Sequence, residues 1–204
     1  MFLSIHPDNP NPRNLQKAVA CLKAGGIIIY PTDTIYGLGC DITNQKAVER
    51  ICRIKNIKPE KSNFSFICSD LSHISAYAKN IETPVYKAMR KNLPGPFTFI
   101  LEASNAVPKL FKNSKKTVGI RIPDNNICIQ LVKELGNPIM STSLHDDDAI
   151  IEYSTDPELI YEKYINLVDL VIDGGYGKNI PSTVVDCSQG EFNILRQGAG
   201  ELEV

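Results

Sequence analysis

The chain has 204 residues, of which 43% are hydrophobic and 22% charged, and its formal net charge is −1. That length suits one large domain and leaves little room for a second core, while the composition excludes disordered and fibrous classes. The charge balance argues against retention on nucleic acid by bulk electrostatics, although it leaves room for a local basic patch.

In chain order, Leu15, Ala18, Val19 and Leu22 recur at helical spacing, which predicts a helix over Asn14–Ala24 that Gly25 and Gly26 stop. The β-branched run Ile27–Tyr30 predicts a buried strand ended by Pro31. A second helix is expected over Gln45–Lys55, with Ala47, Val48, Ile51 and Cys52 on one face, followed by a strand over Phe64–Cys68. Leu71, Ile74 and Ala78 mark a further helix. Thr83-Pro84 opens another, with Thr83 as N-cap and Pro84 at the first helical position. Leu93-Pro94-Gly95-Pro96 reads as loop.

Further strands are predicted at Phe97–Glu102, Thr117–Ile122, Ile139–Ser143, Leu170–Asp173, Thr183–Asp186 and Phe192–Arg196. Helices are predicted at Asn125–Leu135, closed by Gly136, and after the cap Asp156-Pro157, carrying Leu159, Ile160 and Tyr164. Nothing repeats at a fixed period. The mixture points to one α/β domain around a sizeable twisted sheet, with the strand order left open.

Six cysteines, at positions 21, 40, 52, 68, 128 and 187, form no Cys-x-x-Cys pair and no zinc-spaced cluster, so buried free thiols are expected. No apolar run approaches the ~20 residues that span a bilayer, and the first ten residues lack the pattern of a secretory signal. A soluble, cytoplasmic protein with no membrane partner is expected.

The richest loop is Pro31-Thr32-Asp33-Thr34-Ile35-Tyr36-Gly37-Leu38-Gly39-Cys40. It leaves the end of a buried strand, where open α/β sheets place ligands. Its hydroxyls, carboxylate and tyrosine suit a binding site, and Gly37 and Gly39 would allow close backbone approach; a polar turn satisfied by its own hydrogen bonds is the competing reading. Four other segments could contribute. Lys115-Lys116-Thr117-Val118-Gly119-Ile120-Arg121 offers a guanidinium suited to phosphate or carboxylate. Ser141-Thr142-Ser143-Leu144-His145 places hydroxyls and an imidazole at a strand end. Pro181-Ser182-Thr183 opens one strand and Arg196 closes another. Turn capping and surface placement are the competing readings for each. His145, followed by Asp146-Asp147-Asp148, reads as part of a solvated acidic loop, because no second histidine stands at ligand spacing; no protein-bound metal is expected.

Taken together, these segments resemble the threonylcarbamoyl-AMP synthase (YrdC/YciO-like) family. The resemblance rests on Gly25-Gly26 through Leu38-Gly39, Pro94-Gly95-Pro96-Phe97-Thr98, Val118-Gly119-Ile120-Arg121-Ile122-Pro123, Asp173-Gly174-Gly175, Pro181-Ser182-Thr183-Val184 and Leu195-Arg196-Gln197-Gly198. It implies a single α/β domain over residues 1–204: a twisted open mixed sheet of YrdC/RibB-like type, with helices packed around it and a deep, positively lined cavity. The implied reaction condenses L-threonine, bicarbonate and ATP into threonylcarbamoyl-AMP with release of pyrophosphate, for threonylcarbamoyladenosine in tRNA. ATP and L-threonine would be ligands, Mg2+ would accompany the nucleotide, and tRNA or double-stranded RNA would be a partner.

By position, the resemblance assigns catalytic roles to Lys55 and Arg121. It assigns substrate contacts to Thr32, Thr34, Tyr36, Thr117 and Ser182, and nucleotide contacts to Lys55, Thr142, Ser143 and Arg196. Two departures stand out. Synthases carry Lys-x-Arg where this chain has Lys55-Asn56-Ile57, and Ser-x-Asn where it has Ser143-Leu144-His145. Ile67 also stands where archaeal-type synthases place a histidine near threonine. Together with Glu49-Arg50-Ile51-Cys52-Arg53-Ile54, Asn63-Phe64 and Ser141-Thr142-Ser143-Leu144, these departures resemble the YciO branch. The chain ends near Val204, so the extra C-terminal domain of longer synthases is not expected. Two readings follow: a weak or specialised synthase-like nucleotidyltransferase, or a non-catalytic module that keeps the cavity and binds nucleotide or RNA. A basic stretch at Lys109, Lys112, Lys115, Lys116 and Arg121 motivates the RNA alternative, against a solvated face as the bland one.

Overall fold

The structure, a computed structural model, describes residues 1–58, 64–111, 116–144 and 152–204. Among them, ten strands form one mixed sheet. They are β1 (Phe2–Ser4), β2 (Ile28–Tyr30), β3 (Gly37–Asp41), β4 (Ser65–Ile67), β5 (Phe97–Glu102), β6 (Thr117–Arg121), β7 (Ile139–Ser143), β8 (Leu170–Asp173), β9 (Thr183–Asp186) and β10 (Asn193–Arg196). The spatial order is β1-β8-β2-β3-β7-β4-β6-β5-β9-β10. β8 pairs parallel with β1 and β2, and the β4–β6 and β5–β9 pairs are also parallel; the remaining neighbours are antiparallel.

The helices are α1 (Pro12–Lys23), α2 (Gln45–Ile54), α3 (Leu71–Tyr77), α4 (Thr83–Asn92), α5 (Asn126–Leu135), α6 (Glu152–Thr155) and α7 (Pro157–Tyr164). Their ends follow local chemistry. Asn125 caps α5 by accepting from the Cys128 N–H, and Gly136 closes it in the left-handed region at φ +87°. α1 ends with the Gly26 N–H on the Cys21 carbonyl and the Gly25 N–H on that of Leu22, a Schellman arrangement that needs Gly25 at φ +83°. At α4 the N-cap is Glu82, not Thr83, and no side chain caps it. Thr83 is the first helical residue, because Pro84 is tolerated anywhere in the unbonded first turn.

Strand alternation divides the core into two layers. Ile28, Tyr30, Ile67, Ile139, Leu170 and Ile172 pack with Leu15, Ala18 and Leu22 of α1 and Ile127, Leu131 and Val132 of α5. The opposite face, with Leu38, Phe66, Phe99, Ile120, Met140 and Val185, packs with α2, α3, α4 and α7. The α1/α5 layer ends at Ile67 and Ile139. Farther across, the same face carries Thr98 and Ile100 on β5, Gly119 on β6 and Ser65 on β4, all half-buried. The sheet thus presents a polar, small-residue surface on one half of one face, and the site lies there.

β3 is a strand that propensity alone disfavours, with Gly37 and Gly39 in its interior. The Tyr30 ring occupies the space beside both: a Cβ on Gly37 would stand 2.9 Å from Tyr30 Cζ and 3.1 Å from Ser141 Oγ, and one on Gly39 would stand 2.7 Å from Ile139 Cγ2. The close approach is therefore made by Tyr30, whose hydroxyl donates to Ser141 Oγ at 2.6 Å, and not by a ligand. All six cysteines are free, five of them buried; burial pushes the thiols of Cys40, Cys68 and Cys128 upward, which makes them inert at neutral pH.

Gly37→Ala should cost about 2 kcal/mol by overpacking. With Tyr30→Leu in the same chain, the combined loss in a urea melt should be smaller than the sum of the single losses by about 1 kcal/mol. Strict additivity would show that the glycines do not serve the ring.

Candidate functional site

Arg121, the last residue of β6, is only 6% exposed. Its Nη2 donates to Thr34 Oγ1 at 2.7 Å, reaches Thr32 Oγ1 at 3.5 Å, and forms an ion pair with Asp33. The loop between β2 and β3 therefore wraps one guanidinium with three consecutive side chains. Thr32 Oγ1 also accepts from the Thr34 N–H at 3.0 Å and donates to the Ile35 carbonyl at 2.8 Å, which fixes the loop's turn. Asp33 supplies what a buried arginine requires, a counter-charge, and the side chains of the pair are 7% and 8% exposed. Arg121 Nε and Asp33 Oδ2 remain buried without a partner.

A second cation stands across the polar surface. Arg121 and Thr98 lie on adjacent strands, Thr98 pairs with Val184, and Val184 pairs with Arg196. Three strand spacings, about 14 Å, separate the two arginine backbones. Arg196 donates from Nε and Nη2 to the Ser182 carbonyl at 3.1 and 2.8 Å, and its Nη2 lies 3.3 Å from Ser182 Oγ. Ser182 Oγ in turn shares a 2.9 Å hydrogen bond with Thr98 Oγ1. Burial and, secondly, the charge of Arg121 hold the Arg196 guanidinium below its ordinary value, so the two cations feel one another. Among the described residues no carboxylate lies within ion-pair distance of Arg196. Asp33 balances Arg121, and the charge of Arg196 is left in excess.

The remaining sequence-predicted residues fall into three groups. Ser143 pairs directly with Gly37, and the Leu144 N–H donates to the Tyr36 carbonyl, so the end of β7, with Thr142 and Ser143, abuts the end of the Arg121-binding loop. α2 packs back on β3 after a three-residue turn, and its ~15 Å length returns the C-cap Lys55 toward the Gly37 end of that strand. Thr117 begins β6, four residues and about 13 Å from Arg121, so strand geometry does not bring it into the arginine cluster. Tyr36 is fully buried; its hydroxyl donates to the Gly175 carbonyl at 2.7 Å and accepts from the Gly174 N–H at 3.3 Å. Burial pushes that phenol upward, and its bonding ties the turn after β8 to the site loop.

Asp33 was not among the residues singled out as ligand contacts. Its part depends on Arg121, 88 positions away, which local spacing does not display. Arg121 also leaves the expected surface basic stretch, being buried, while Lys112 and Lys115 lie outside the described residues, as do Asn63, His145 and Asp146-Asp147-Asp148. Ile67 pairs with both Ile139 and Arg121 and is 1% exposed, an apolar wall beside the cluster. Among the described residues, no group of three or more His, Cys, Asp or Glu could hold a metal ion, and no helix is long and apolar enough to cross a membrane.

A family model described as telomere recombination, covering the Sua5, YciO and YrdC proteins, matches residues 20–198. The chain belongs to the Sua5/YciO/YrdC family. It is 43% identical over 200 residues to an uncharacterized protein of Haemophilus influenzae, covering 98% of this chain and 96% of that one. It is 41% identical over 203 residues to Escherichia coli YciO, covering 99% and 97%. Against the threonylcarbamoyl-AMP synthase of Vibrio vulnificus the identity is 30% over 188 residues, covering 91% and 98%. The crystal structure of E. coli YciO superposes with a TM-score of 0.91, at 40% identity over 98% of this chain and 97% of that one. P. abyssi Sua5 complexed with L-threonine gives 0.85 at 23% identity, covering 97% of this chain and 57% of that one, a likeness of fold. The single-domain α/β family fold and its mixed sheet are thus as expected.

Asp33→Ala should destabilise the protein by about 3–5 kcal/mol, because it strands a buried guanidinium. The double variant Asp33→Ala/Arg121→Met should recover much of that loss in a denaturant melt. A double variant no more stable than Asp33→Ala alone would show that the ion pair is not the source.

Proposed function

We propose that the site binds ATP together with L-threonine or a similar small amino acid, and that it runs a weak or specialised form of threonylcarbamoyl-AMP synthesis. The observation that carries this reading is the pair of guanidiniums, Arg121 paired with Asp33 and Arg196 with no carboxylate beside it among the described residues, together with the hydroxyls of Thr34, Ser182 and Thr98. Two anions must meet in such a reaction. The amine of threonine first forms an N–C bond to bicarbonate carbon, with loss of water, giving a carbamate. A carbamate oxygen then bonds to the α-phosphorus of ATP as the bond to pyrophosphate breaks.

Fixed cations and hydroxyl donors offset the repulsion between carbamate and phosphate and stabilise the leaving pyrophosphate. In this reading Arg196, Lys55, Thr142 and Ser143 hold the nucleotide. Thr32, Thr34 and Ser182 hold the amino acid, and Arg121 faces the reacting groups. Mg2+ travels with the phosphates of ATP. The adenylate would serve the threonylcarbamoyladenosine modification of tRNA. Kinship with a named threonylcarbamoyl-AMP synthase over 91% of the chain supports the assignment.

A second reading, binding without turnover, draws on one specific feature. Where synthases place the second cation after Lys55, this chain has Asn56 at φ +51° and then Ile57, 38% exposed. A missing charged contact to a phosphate forfeits about 1.5–3 kcal/mol, one to two decades in rate if it acts in the transition state. Turnover and binding therefore have to be measured separately.

Purified protein supplied with ATP and Mg2+ should release pyrophosphate only when both threonine and bicarbonate are present. ATP binding without any such release, beside an active synthase control, would select the second reading. Arg196→Ala should weaken ATP binding about tenfold or more, since a charge-assisted contact is lost, while the fold loses only about 1 kcal/mol from the freed Ser182 carbonyl. Unchanged ATP affinity by calorimetry would remove Arg196 from the nucleotide site.

A further inference from the structure

The loop after β8 reads Gly174-Gly175-Tyr176-Gly177-Lys178, and Tyr176 is 80% exposed, more than any other large hydrophobic residue described. A single exposed tyrosine on a free loop would call for no explanation. This loop is not free. The Tyr36 hydroxyl holds Gly174 and Gly175, the Gly177 N–H donates to the Thr155 carbonyl at 2.8 Å, and the Lys178 N–H donates to the Thr34 carbonyl at 3.1 Å. Gly177 lies flat on the Tyr36 ring, where a Cβ would stand 2.6 Å from Cδ2, and Gly175 takes φ +90°. The backbone is therefore fixed on both sides of Tyr176, and the side chain between the anchors is left in solvent. Its anchor, Thr34, is also the residue whose hydroxyl binds Arg121. Two residues of chain reach at most about 7 Å, which keeps Tyr176 within a nucleotide's length of the arginine cluster.

We propose that Tyr176 is a stacking platform for the nucleobase of a nucleotide whose phosphates meet the arginines, a role that rests on the nucleotide-binding reading above. An exposed planar ring stands on a loop anchored to Thr34, the residue that binds Arg121, and the exposed Lys178 follows two residues later. Bases stack on tyrosine with little regard to their identity, because each presents a π-face. The ring supplies affinity for the base and no charge, whereas the guanidiniums supply affinity for phosphate. The two contributions are separable by ligand.

The experiment is a calorimetric titration of the full chain with ATP and with inorganic tripolyphosphate, which offers the anion without the base. Tyr176→Ala should weaken ATP by about five- to a hundredfold, the range of base-on-ring stacking, with tripolyphosphate affinity unchanged within about twofold. Tyr176→Phe should retain near wild-type ATP affinity, since the ring and not the hydroxyl is at work. Equal ATP affinity in wild type and Tyr176→Ala would overturn the platform while leaving the nucleotide site intact. Parallel losses for both ligands, or a Phe variant as weak as the Ala variant, would also overturn it. Wild type that binds tripolyphosphate but no ATP would overturn the nucleotide reading itself. An RNA oligonucleotide arm distinguishes the source of the base: a Tyr176→Ala loss confined to RNA contradicts the assignment to a bound nucleotide.

Discussion

A guanidinium buried at the end of β6 is the constraint around which the candidate site is organised. Taking a charge out of water costs several kcal/mol unless it is paired and hydrogen-bonded. Here the offsetting groups all come from one short loop: Asp33 gives the charge, Thr34 and Thr32 the hydroxyls. That loop must therefore cross from β2 toward β6, and everything that holds it there becomes part of the site. Tyr36 latches it to Gly174 and Gly175, Lys178 donates to its backbone, and the Leu144 N–H closes its far end.

The same arrangement suits anion chemistry. Arg121 is already paired with Asp33, so its charge alone would be a weak attractor. Arg196 restores the excess, and its partner Ser182 shares a hydrogen bond with Thr98 on the strand next to Arg121. In the proposed reading, Ile57 stands beside Lys55 where synthases carry a second cation, and a contact to the leaving pyrophosphate is missing.

Much of the fold was legible because β-branched runs and helical spacing are local properties. The strands at Ile139–Ser143, Leu170–Asp173 and Thr183–Asp186 have the predicted bounds. β3 was not legible: Gly37-Leu38-Gly39 reads as loop by propensity, and only the Tyr30 ring, packed into the space its glycines leave, explains the strand. β1 is three residues long and carries no alternation to read. In the site, motif order brought Thr32, Thr34, Arg121, Ser182 and Arg196 into view; hydrogen bonds join Arg121 to Thr32 and Thr34 and Arg196 to Ser182, and charge couples the two arginines. Asp33 and the structural part of Tyr36 stayed hidden, since each is defined by a partner more than eighty residues away. Sequence spacing reports what is near along the chain. Ion pairs across a sheet are decided by register.

In the proposed reading Arg196, which holds the nucleotide, and Arg121, which faces the reacting groups, meet at the α-phosphate of ATP. A crystal structure of the protein soaked with ATP and threonine tests it most directly. Phosphate density within hydrogen-bonding distance of both guanidiniums, with Asp33 still at Arg121, is the predicted result. Nucleotide density bound elsewhere, with both arginines holding only their present partners, would contradict the account.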